Sequence, residues 1–171
     1  MENADYWIKH LNLIPHPEGG HYKETYKSQI FLSKGDLNNC VTTRRSASLI
    51  YFLLSKKEKS TFHRLKSDEI WIFNKGTSVK IYIIDKKGNL LIEKLGHDIE
   101  NNEELQVFIP AESWFAAELI DKSSFCLMSC LVSPGFEWDD FELADINKLI
   151  EQYPAYTDIL KLWAIKKIIN E

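Results

Sequence analysis

The strongest constraint on the fold is a succession of short apolar segments, each about as long as one strand and followed by a polar turn. Val79, Ile81 and Ile83 alternate with more polar residues, and K-K-G-N at residues 86–89 is typical of a hairpin turn. No helical crossover separates the segments, so the pattern predicts an antiparallel β-sandwich or barrel. The predicted strands are Ser46–Leu54, two within Ser60–Gly76, Val79–Ile83, Leu90–Leu95, Leu105–Ile109, Ser113–Leu119 and Phe125–Val132, the last two forming a pair.

The N-terminal region predicts a short helix and then a polar strand. Apolar residues recur at roughly helical spacing from about Asn3 to Asn12, before two prolines end the helix. Gly19 and Gly20 then predict a tight bend. In the strand that follows, Tyr22, Glu24 and Tyr26 are expected to share one face, a pattern that suits a sheet edge or a subunit contact.

The C-terminal region predicts two helices, from about Ala144 to Gln152 and from about Thr157 to Asn170, separated by Pro154. The second helix carries an apolar stripe of Ile159, Leu162, Trp163, Ile165 and Ile169 beside several lysines. We expect this stripe to pack against the outside of the sheet. A helix lying on a membrane surface is the alternative.

Composition predicts one globular domain spanning residues 1–171. The chain is 44% hydrophobic and 27% charged, and it is too short for two ordinary domains. Its net charge of -4 argues against a nucleic-acid partner, which requires a concentrated positive face. The first ten residues carry acids without an apolar core, and no uncharged apolar run approaches the length of a membrane span. We therefore expect a cytoplasmic protein with no membrane partner.

The three cysteines, Cys40, Cys126 and Cys130, lack the C-x-x-C spacing of zinc sites. Cys126 and Cys130 are expected to point to the same face of one strand. Buried, reduced thiols are the favoured interpretation, and a redox role is the alternative.

A candidate site lies in the two predicted strands within Ser60–Gly76, where a polar turn should bring His63 and Glu69 close together. Trp71 and Phe73 should point the same way as Glu69, and Phe115 should reach the same cavity from another strand. An imidazole oriented by a carboxylate titrates near neutrality and can move a proton. The alternative is a polar pair that satisfies its own hydrogen bonds inside the core; the surrounding rings favour a ligand pocket.

Six ordered motifs, covering roughly His16 to Phe141, resemble the cupin-5 family of small cupins. They are H-P-E-G-G-x-Y-x-E from His16, I-Y-F-L-L from Ile50, F-H-R-L-K-S-D-E-I-W from Phe62, L-G-x-D from Leu95, P-A-x-x-W from Pro110 and S-P-G-F-x-W-D-D-F from Ser133. The resemblance implies a double-stranded β-helix (jelly-roll) barrel over about 16–141, with a helical extension over about 142–171. It also implies a pocket at one barrel end, with His63 and Glu69 as its polar groups, and a homodimer formed by sheet extension.

The resemblance also bears on metal binding. Metal-binding cupins carry an H-x-H pair and a later Glu in the first motif, and roughly P-x-G-x-x-H in the second. In this chain Leu65 takes the place of the second His, Phe115 that of the last His, and Glu112 that of the Gly. His63 and Glu69 alone would make a weak site, because catalytic metals commonly have three protein ligands. We therefore expect neither a metal nor another cofactor.

These observations predict a protein that binds a small molecule. The first hypothesis is a metal-independent epimerase or isomerase acting on a carbohydrate-like or carbonyl-bearing metabolite. The alternative is a ligand-binding protein without catalysis. His63 and Glu69 are the predicted catalytic residues, with His63 as acid or base and Glu69 orienting it. The predicted ligand contacts are Tyr51, Trp71, Phe73, Trp114 and Phe115.

Overall fold

The structure is a computed structural model that describes residues 2–33 and 43–164. Its helices are α1 (Ala4–Leu11), α2 (Ile146–Gln152) and α3 (Thr157–Leu160), and 3₁₀ turns occur at Ile99–Asn101, Trp138–Asp140, Pro154–Tyr156 and Lys161–Trp163. Its strands are β1 (Ile14–Pro15), β2 (His21–Lys27), β3 (Phe31–Leu32), β4 (Arg44–Arg45), β5 (Ser48–Ser55), β6 (Lys59–Leu65), β7 (Asp68–Gly76), β8 (Val79–Ile84), β9 (Leu90–Leu95), β10 (Gln106–Ile109), β11 (Trp114–Leu119), β12 (Phe125–Ser133) and β13 (Phe141–Leu143).

Two antiparallel sheets make up the body of the fold. The first has the strand order β1-β2-β5-β12-β7-β10, and the second has the order β13-β6-β11-β8-β9. A separate two-stranded ribbon pairs β3 with β4. Within the described residues, strand pairing does not join the two main sheets into a closed barrel. The mostly β, antiparallel architecture predicted from the short segments and the jelly roll implied by the family resemblance are both confirmed, and the two sheets face each other as an open sandwich.

The core lies between the inward faces of the two sheets. Trp71 of the first sheet and Phe115 of the second are both about 1% exposed and belong to the same apolar cluster. Cys126 and Cys130 lie on the same inward face of β12, as predicted, and both are buried free thiols. Cys40 lies outside the described residues.

Helices cover the outer faces of both sheets. The Asn3 side chain accepts a hydrogen bond from the Tyr6 amide at 2.9 Å and begins α1, and Asn12 ends it in the left-handed region. This confirms the predicted N-terminal helix. On the other side, Leu160 and Trp163 pack with Phe62 of β6. The C-terminal segment therefore covers sheet, as predicted, although the chain tightens into a 3₁₀ turn after Leu160. Residues 165–171 lie outside the described part.

One predicted pairing is wrong. The segments Ser113–Leu119 and Phe125–Val132 were expected to pair across their connecting turn, but β11 pairs with β6 and β8 while β12 pairs with β5 and β7. The connection instead carries the chain from one sheet to the other. Neighbours in sequence are separated here because the jelly roll winds alternately through its two sheets.

Two β-bulges change which side chains face the interior. In β2 the pairing register shifts between Glu24 and Tyr26, so Tyr22, Glu24 and Lys27 line the interior while Tyr26 is 52% exposed. The prediction that Tyr22, Glu24 and Tyr26 share one face is therefore wrong for Tyr26. The second bulge lies in β6 and helps to form the candidate site.

Candidate functional site

Glu18 enters the interior from the tight turn between β1 and β2. The turn is closed by the Gly19 amide donating to the His16 carbonyl at 3.0 Å, and the Thr61 amide donates to the Glu18 carbonyl at 2.8 Å. Gly19 has φ +110°, and a Cβ there would lie 2.1 Å from the Lys59 carbonyl oxygen. Only glycine allows this close approach to β6, which carries the Glu18 side chain inward.

The bulge in β6 places two polar side chains beside that carboxyl group. Phe115 pairs with His63 and Ala117 pairs with Ser60, so β6 contains one extra residue between these points. In a regular strand, Ser60 and His63 would face opposite sides, because side chains alternate. Here the Ser60 hydroxyl donates to Glu18 Oε1 at 2.9 Å, and His63 Nε2 lies 3.1 Å from Glu18 Oε2.

Glu18 and His63 form a neutral pair that shares one proton. His63 Nδ1 lies 2.8 Å from the Thr61 carbonyl, which can only accept, so Nδ1 carries a hydrogen. His63 is 2% exposed, and this burial lowers its pKa to about 3. Burial, together with the charge of Glu69, raises the pKa of Glu18 well above its usual range. The proton between them therefore belongs to Glu18, which donates to His63 Nε2.

His16 completes this polar wall as an uncharged imidazole. Its Nδ1 accepts from the Glu18 amide at 3.3 Å and lies 3.4 Å from Glu18 Oε2. Burial lowers the His16 pKa to about 4. Its ring meets Tyr22 edge-on, with 4.6 Å between the ring centroids, and stacks on Trp138 at 5.7 Å.

Glu69 lies on β7 in the opposite sheet and keeps one oxygen without a partner. Oε1 accepts from the Trp71 indole at 2.9 Å, whereas Oε2 is buried and has no hydrogen-bond partner among the described residues. Burial raises the Glu69 pKa to about 7, although the Trp71 indole and the nearby Cys130 thiol both favour the ionised form. Such a carboxyl group is present in both protonation states near neutral pH.

These groups surround a cavity of about 270 Å³ between the sheets. About half of its lining residues are aromatic or aliphatic, with Phe52, Trp71 and Phe141 among the rings. The cavity lies below the roughly 300–1,000 Å³ typical of sites for drug-sized ligands, so its ligand should be small. The open volume argues against a core in which the polar groups simply plug one another.

A strap that includes the 3₁₀ turn Trp138–Asp140 and the start of β13 covers one side of the cavity. Asp140 accepts two hydrogen bonds from the Arg44 guanidinium, at 2.6 and 2.9 Å, and both side chains are buried. At the mouth, Lys27 Nζ lies 3.2 Å from a Glu137 carboxylate oxygen and 4.0 Å from one of Glu24. These ion pairs fix the strap against the sheets.

The structure brings together three of the predicted site residues. His63, Glu69 and Trp71 all line the cavity. His63 and Glu69 are on facing sheets, and the carboxyl group bonded to His63 is that of Glu18, so the predicted orienting role of Glu69 falls to Glu18. Phe115 supports the His63 ring from behind, with 4.0 Å between centroids.

The other three predicted ligand contacts lie outside this cavity. Tyr51 packs beneath α1, because its neighbours on β5, Ile50 and Phe52, take the inward face. Trp114 faces outward next to the inward Phe115 and lies under the Arg64 guanidinium at 4.5 Å. Phe73 is only partly buried at the edge of the core, where its ring stacks on the exposed His97.

Sequence reasoning missed His16 and Glu18. Both lie in H-P-E-G-G, which predicted only a bend. The signal that could have identified them is the presence of an imidazole and a carboxyl group beside a Gly-Gly turn, within a motif shared with the family. Their role depends on the turn reaching β6, a contact between residues more than forty positions apart.

The donor atoms do not fit a metal ion as they are arranged. Among residues 2–33 and 43–164, no three His, Cys, Asp or Glu side chains are placed to hold one. The nitrogens of His63 and His16 both lie near Glu18 Oε2, so a carboxyl oxygen occupies the point on which they converge. The Thr61 carbonyl engages His63 Nδ1 and the Trp71 indole engages Glu69 Oε1, which leaves Glu69 Oε2 as a single oxygen on the opposite wall.

Two facing antiparallel sheets in jelly-roll order around a polar, ring-lined cavity define a cupin. The chain belongs to the Cupin_5 family, described as Cupin superfamily (DUF985), whose sequence pattern matches residues 5–144. The resemblance recognised in the six sequence motifs is therefore confirmed.

Relatives with similar sequences carry no assigned function in their names. The chain is 30% identical over 143 residues to the uncharacterized protein YML079W of Saccharomyces cerevisiae, covering 78% of this chain and 71% of the yeast protein. It superposes on protein SO0799 from Shewanella oneidensis with TM-score 0.86 and 38% identity, covering 95% and 98% of the two chains. A hypothetical protein from Leishmania major superposes with TM-score 0.86 and 32% identity, and the match covers 95% of this chain and 99% of that protein.

A more distant likeness shows only the fold. Oxalate decarboxylase from Bacillus subtilis, a protein with Mn(II) centres, is 12% identical with TM-score 0.54, and the match covers 90% of this chain and 38% of the decarboxylase. In the described residues, none of the helices has the length and apolar character needed to cross a bilayer.

Proposed function

We propose that this protein binds a small metabolite with a carbonyl group beside a carbon that bears hydrogen, and transfers protons on it as an epimerase or isomerase does. The observation that carries the proposal is the pair of buried carboxyl groups, Glu18 and Glu69, on two walls of one cavity. The Glu69 pKa of about 7 suits proton transfer, because an acid or base is most effective when its pKa lies near the working pH, and burial raises the pKa of Glu18 so that it holds a proton to donate.

The contacts favour a particular division of roles. Glu69 is the better base, since its pKa of about 7 leaves much of it ionised at neutral pH and Oε2 is free to accept. It would take the proton from the carbon beside the carbonyl, leaving an enolate. The proton held between Glu18 and His63 would neutralise the enolate oxygen, which gives an enediol when the substrate is a hydroxy-aldehyde. Glu69 would then give its proton to the former carbonyl carbon while the hydroxyl on the deprotonated carbon returns a proton to Glu18, and the product is the isomer. Return of the Glu69 proton to the opposite face of the deprotonated carbon, with the enol proton going back to Glu18, would give the epimer. No oxidant or other co-reactant is needed.

His63 keeps a part in this scheme, as the sequence predicted, but through Glu18. When Glu18 gives up its proton, its carboxylate keeps the Ser60 hydroxyl as a donor. His63, fixed by the Thr61 carbonyl, holds the carboxyl group in place. Both side chains are at most 7% exposed, so water cannot easily compete for the shared proton.

The test is hydrogen exchange at carbon. The protein is incubated in D₂O with small aldoses, ketoses and hydroxy-aldehydes, and NMR follows loss of the hydrogen beside each carbonyl. We expect exchange with at least one compound, and Glu69→Gln should slow it by about a hundredfold or more. Glu104→Gln is the matched control, because Glu104 is exposed and lies outside the cavity lining. Undiminished exchange in Glu69→Gln would contradict the scheme.

A ligand-binding protein without catalysis is the second candidate. It is favoured by the way Glu18 and His63 already satisfy one another in a neutral pair. Mass spectrometry of small molecules released from the purified protein distinguishes the two. If the released compound binds again but shows no hydrogen exchange, the binding function is correct.

The other features of this proposal rest on the sequence and the family resemblance. We propose one domain, with the sandwich over about 16–141 and the helical extension over about 142–171, acting as a cytoplasmic homodimer. The homodimer is supported by β2, since among the described residues β1 pairs only with His21 and Tyr22 on that edge, and the rest of the edge is available for sheet extension.

A further inference from the structure

We propose that the ligand of this cavity is an uncharged, hydroxylated compound, such as a free sugar or a short hydroxy-aldehyde or hydroxy-ketone, and that the cavity rejects its phosphorylated counterpart. The carbonyl group in these examples rests on the proposed function. The selection against negative charge does not, because it follows from the charges and the unpaired oxygen of the cavity itself.

The inner wall offers no cationic side chain to an anion. Its titratable side chains, within the described residues, are His16, Glu18, Tyr22, His63, Glu69 and Cys130. Both imidazoles are uncharged, and Cys130 is a buried thiol. A phosphate or carboxylate placed here would be buried beside Glu69 without a cationic partner, and an unpaired buried charge is strongly unfavourable.

The mouth does not supply the missing cation. Lys27 is the lysine that lines it, and its ammonium group already lies between the carboxylates of Glu24 and Glu137. An incoming phosphate would have to displace Glu137 from its 3.2 Å contact. With two carboxylates around one ammonium group, the local charge is negative and slows the entry of anions.

The cavity does match a hydroxyl group. Glu69 Oε2 is a buried acceptor without a partner in the described part of the chain, and a ligand hydroxyl would supply the donor that it lacks. The adjoining rings of Trp71 and Phe52, whose centroids are 5.6 Å apart, offer an apolar surface for the C–H face of a sugar. A charged amine fits less well, because an ammonium group needs acceptors for three hydrogens, and Glu69 Oε2 is the one buried, unpartnered oxygen among the described lining residues.

The experiment compares matched compounds that differ only in charge. Glyceraldehyde and its 3-phosphate, and glucose with its 6-phosphate and glucosamine, are titrated at pH 7 and followed by tryptophan fluorescence and calorimetry. We expect at least one neutral compound to bind, and at least about tenfold more tightly than its charged partners. Tighter or equal binding of a phosphorylated or amino compound, or no binding by any neutral one, would overturn the proposal.

Glu69→Gln tests the proposed contact. We expect it to weaken binding of the neutral compound by about tenfold, because a hydrogen bond to a charged group is lost. It should also reduce the ratio between the affinities for the neutral and the phosphorylated compound. Glu104→Gln should change neither the affinity for the neutral compound nor its ratio to the affinity for the phosphorylated compound. Because the hydroxyl favours ionised Glu69, binding at pH 7 should also release protons, measured by calorimetry in buffers of different ionisation enthalpy. Selective binding without carbon-hydrogen exchange would support this inference while refuting the proposed function.

Discussion

Strand β6 supplies one ring to each of two aromatic regions that differ in how their polar atoms are satisfied. Phe62 faces outward into the cluster under the C-terminal helices. There the Trp163 indole donates to the Ser60 carbonyl at 3.0 Å, and the Tyr82 hydroxyl donates to Glu118 at 3.1 Å. His63, the next residue, faces inward to the cavity. The outer region is closely packed, and the Trp163 indole and the Tyr82 hydroxyl both have hydrogen-bond partners.

The cavity has the same kind of rings, but its polar atoms are less completely hydrogen-bonded. Glu69 Oε2 has no partner among the described residues, and four of the titratable side chains there have pKa values displaced mainly by burial. The comparison teaches that aromatic content alone does not identify a binding site. Open volume combined with an unsatisfied buried acceptor does, because such an acceptor has a free-energy cost that a ligand can remove.

The largest expected effect is on the outer side. Phe62→Ala should lower the free energy of unfolding by roughly 3–5 kcal/mol, since the ring is fully buried and packs against Trp163 with 5.1 Å between centroids. Phe141→Ala, at the strap beside the cavity, should cost clearly less because its ring is only partly buried. Urea denaturation measures both. Equal losses in the two variants would erase the proposed distinction between packing and binding regions.

The next largest effect is a pH dependence of the free energy of unfolding that arises from Glu69 in the cavity. Burial raises the Glu69 pKa from 4.5 to about 7, so the folded protein holds this proton over a range in which the unfolded chain has released it. Stability from Glu69 is therefore fully present below about pH 4.5 and is lost as the pH rises through about 7. The loss should be on the order of 3 kcal/mol in total. His16 and His63, whose pKa values are lowered, act in the opposite direction below about pH 6.5.

Glu69→Gln isolates this contribution, because the amide does not titrate while the histidines remain. Subtracting its unfolding free energies from those of the unchanged protein, at half-unit steps from pH 4.5 to 8, should give a curve that falls as pH rises. Glu104→Gln, on the exposed surface, controls for replacing a carboxyl group by an amide. A Glu69→Gln difference that does not change with pH would show that Glu69 ionises normally, and the proposed base would lose its main support.

Alternation and turn residues were sufficient for the strands and the antiparallel class of fold, because they act locally, whereas the jelly-roll order was implied only by the family resemblance. The sequence was also sufficient to place His63 and Glu69 in one cavity, although on opposite walls. It failed for features fixed by distant contacts. The β6 bulge turns Ser60 and His63 to one face, and Glu18 enters because Gly19 can approach Lys59.

Strand facing explains the remaining differences. Tyr51 and Trp114 belong to aromatic motifs, but each alternates with a neighbour that takes the inward position. In a strand buried on both faces, composition does not show which face is the interior. Only the pairing of β11 with β6, and of β5 with β12, fixes this for Trp114 and Tyr51.

The smallest expected effect compares two tryptophans that the sequence predicted to contact ligand. Trp71→Phe removes the indole that donates to Glu69 Oε1 and should raise the Glu69 pKa further, by about one pH unit, because the ionised form loses its donor. Trp114→Phe should leave it unchanged, since Trp114 lies on the outer face under Arg64. Carbon-13 NMR titration of labelled glutamate carboxyls measures both. A Glu69 pKa that stays constant in Trp71→Phe, or moves equally in Trp114→Phe, would mean that burial alone sets its value and that the indole contact does not tune the proposed base.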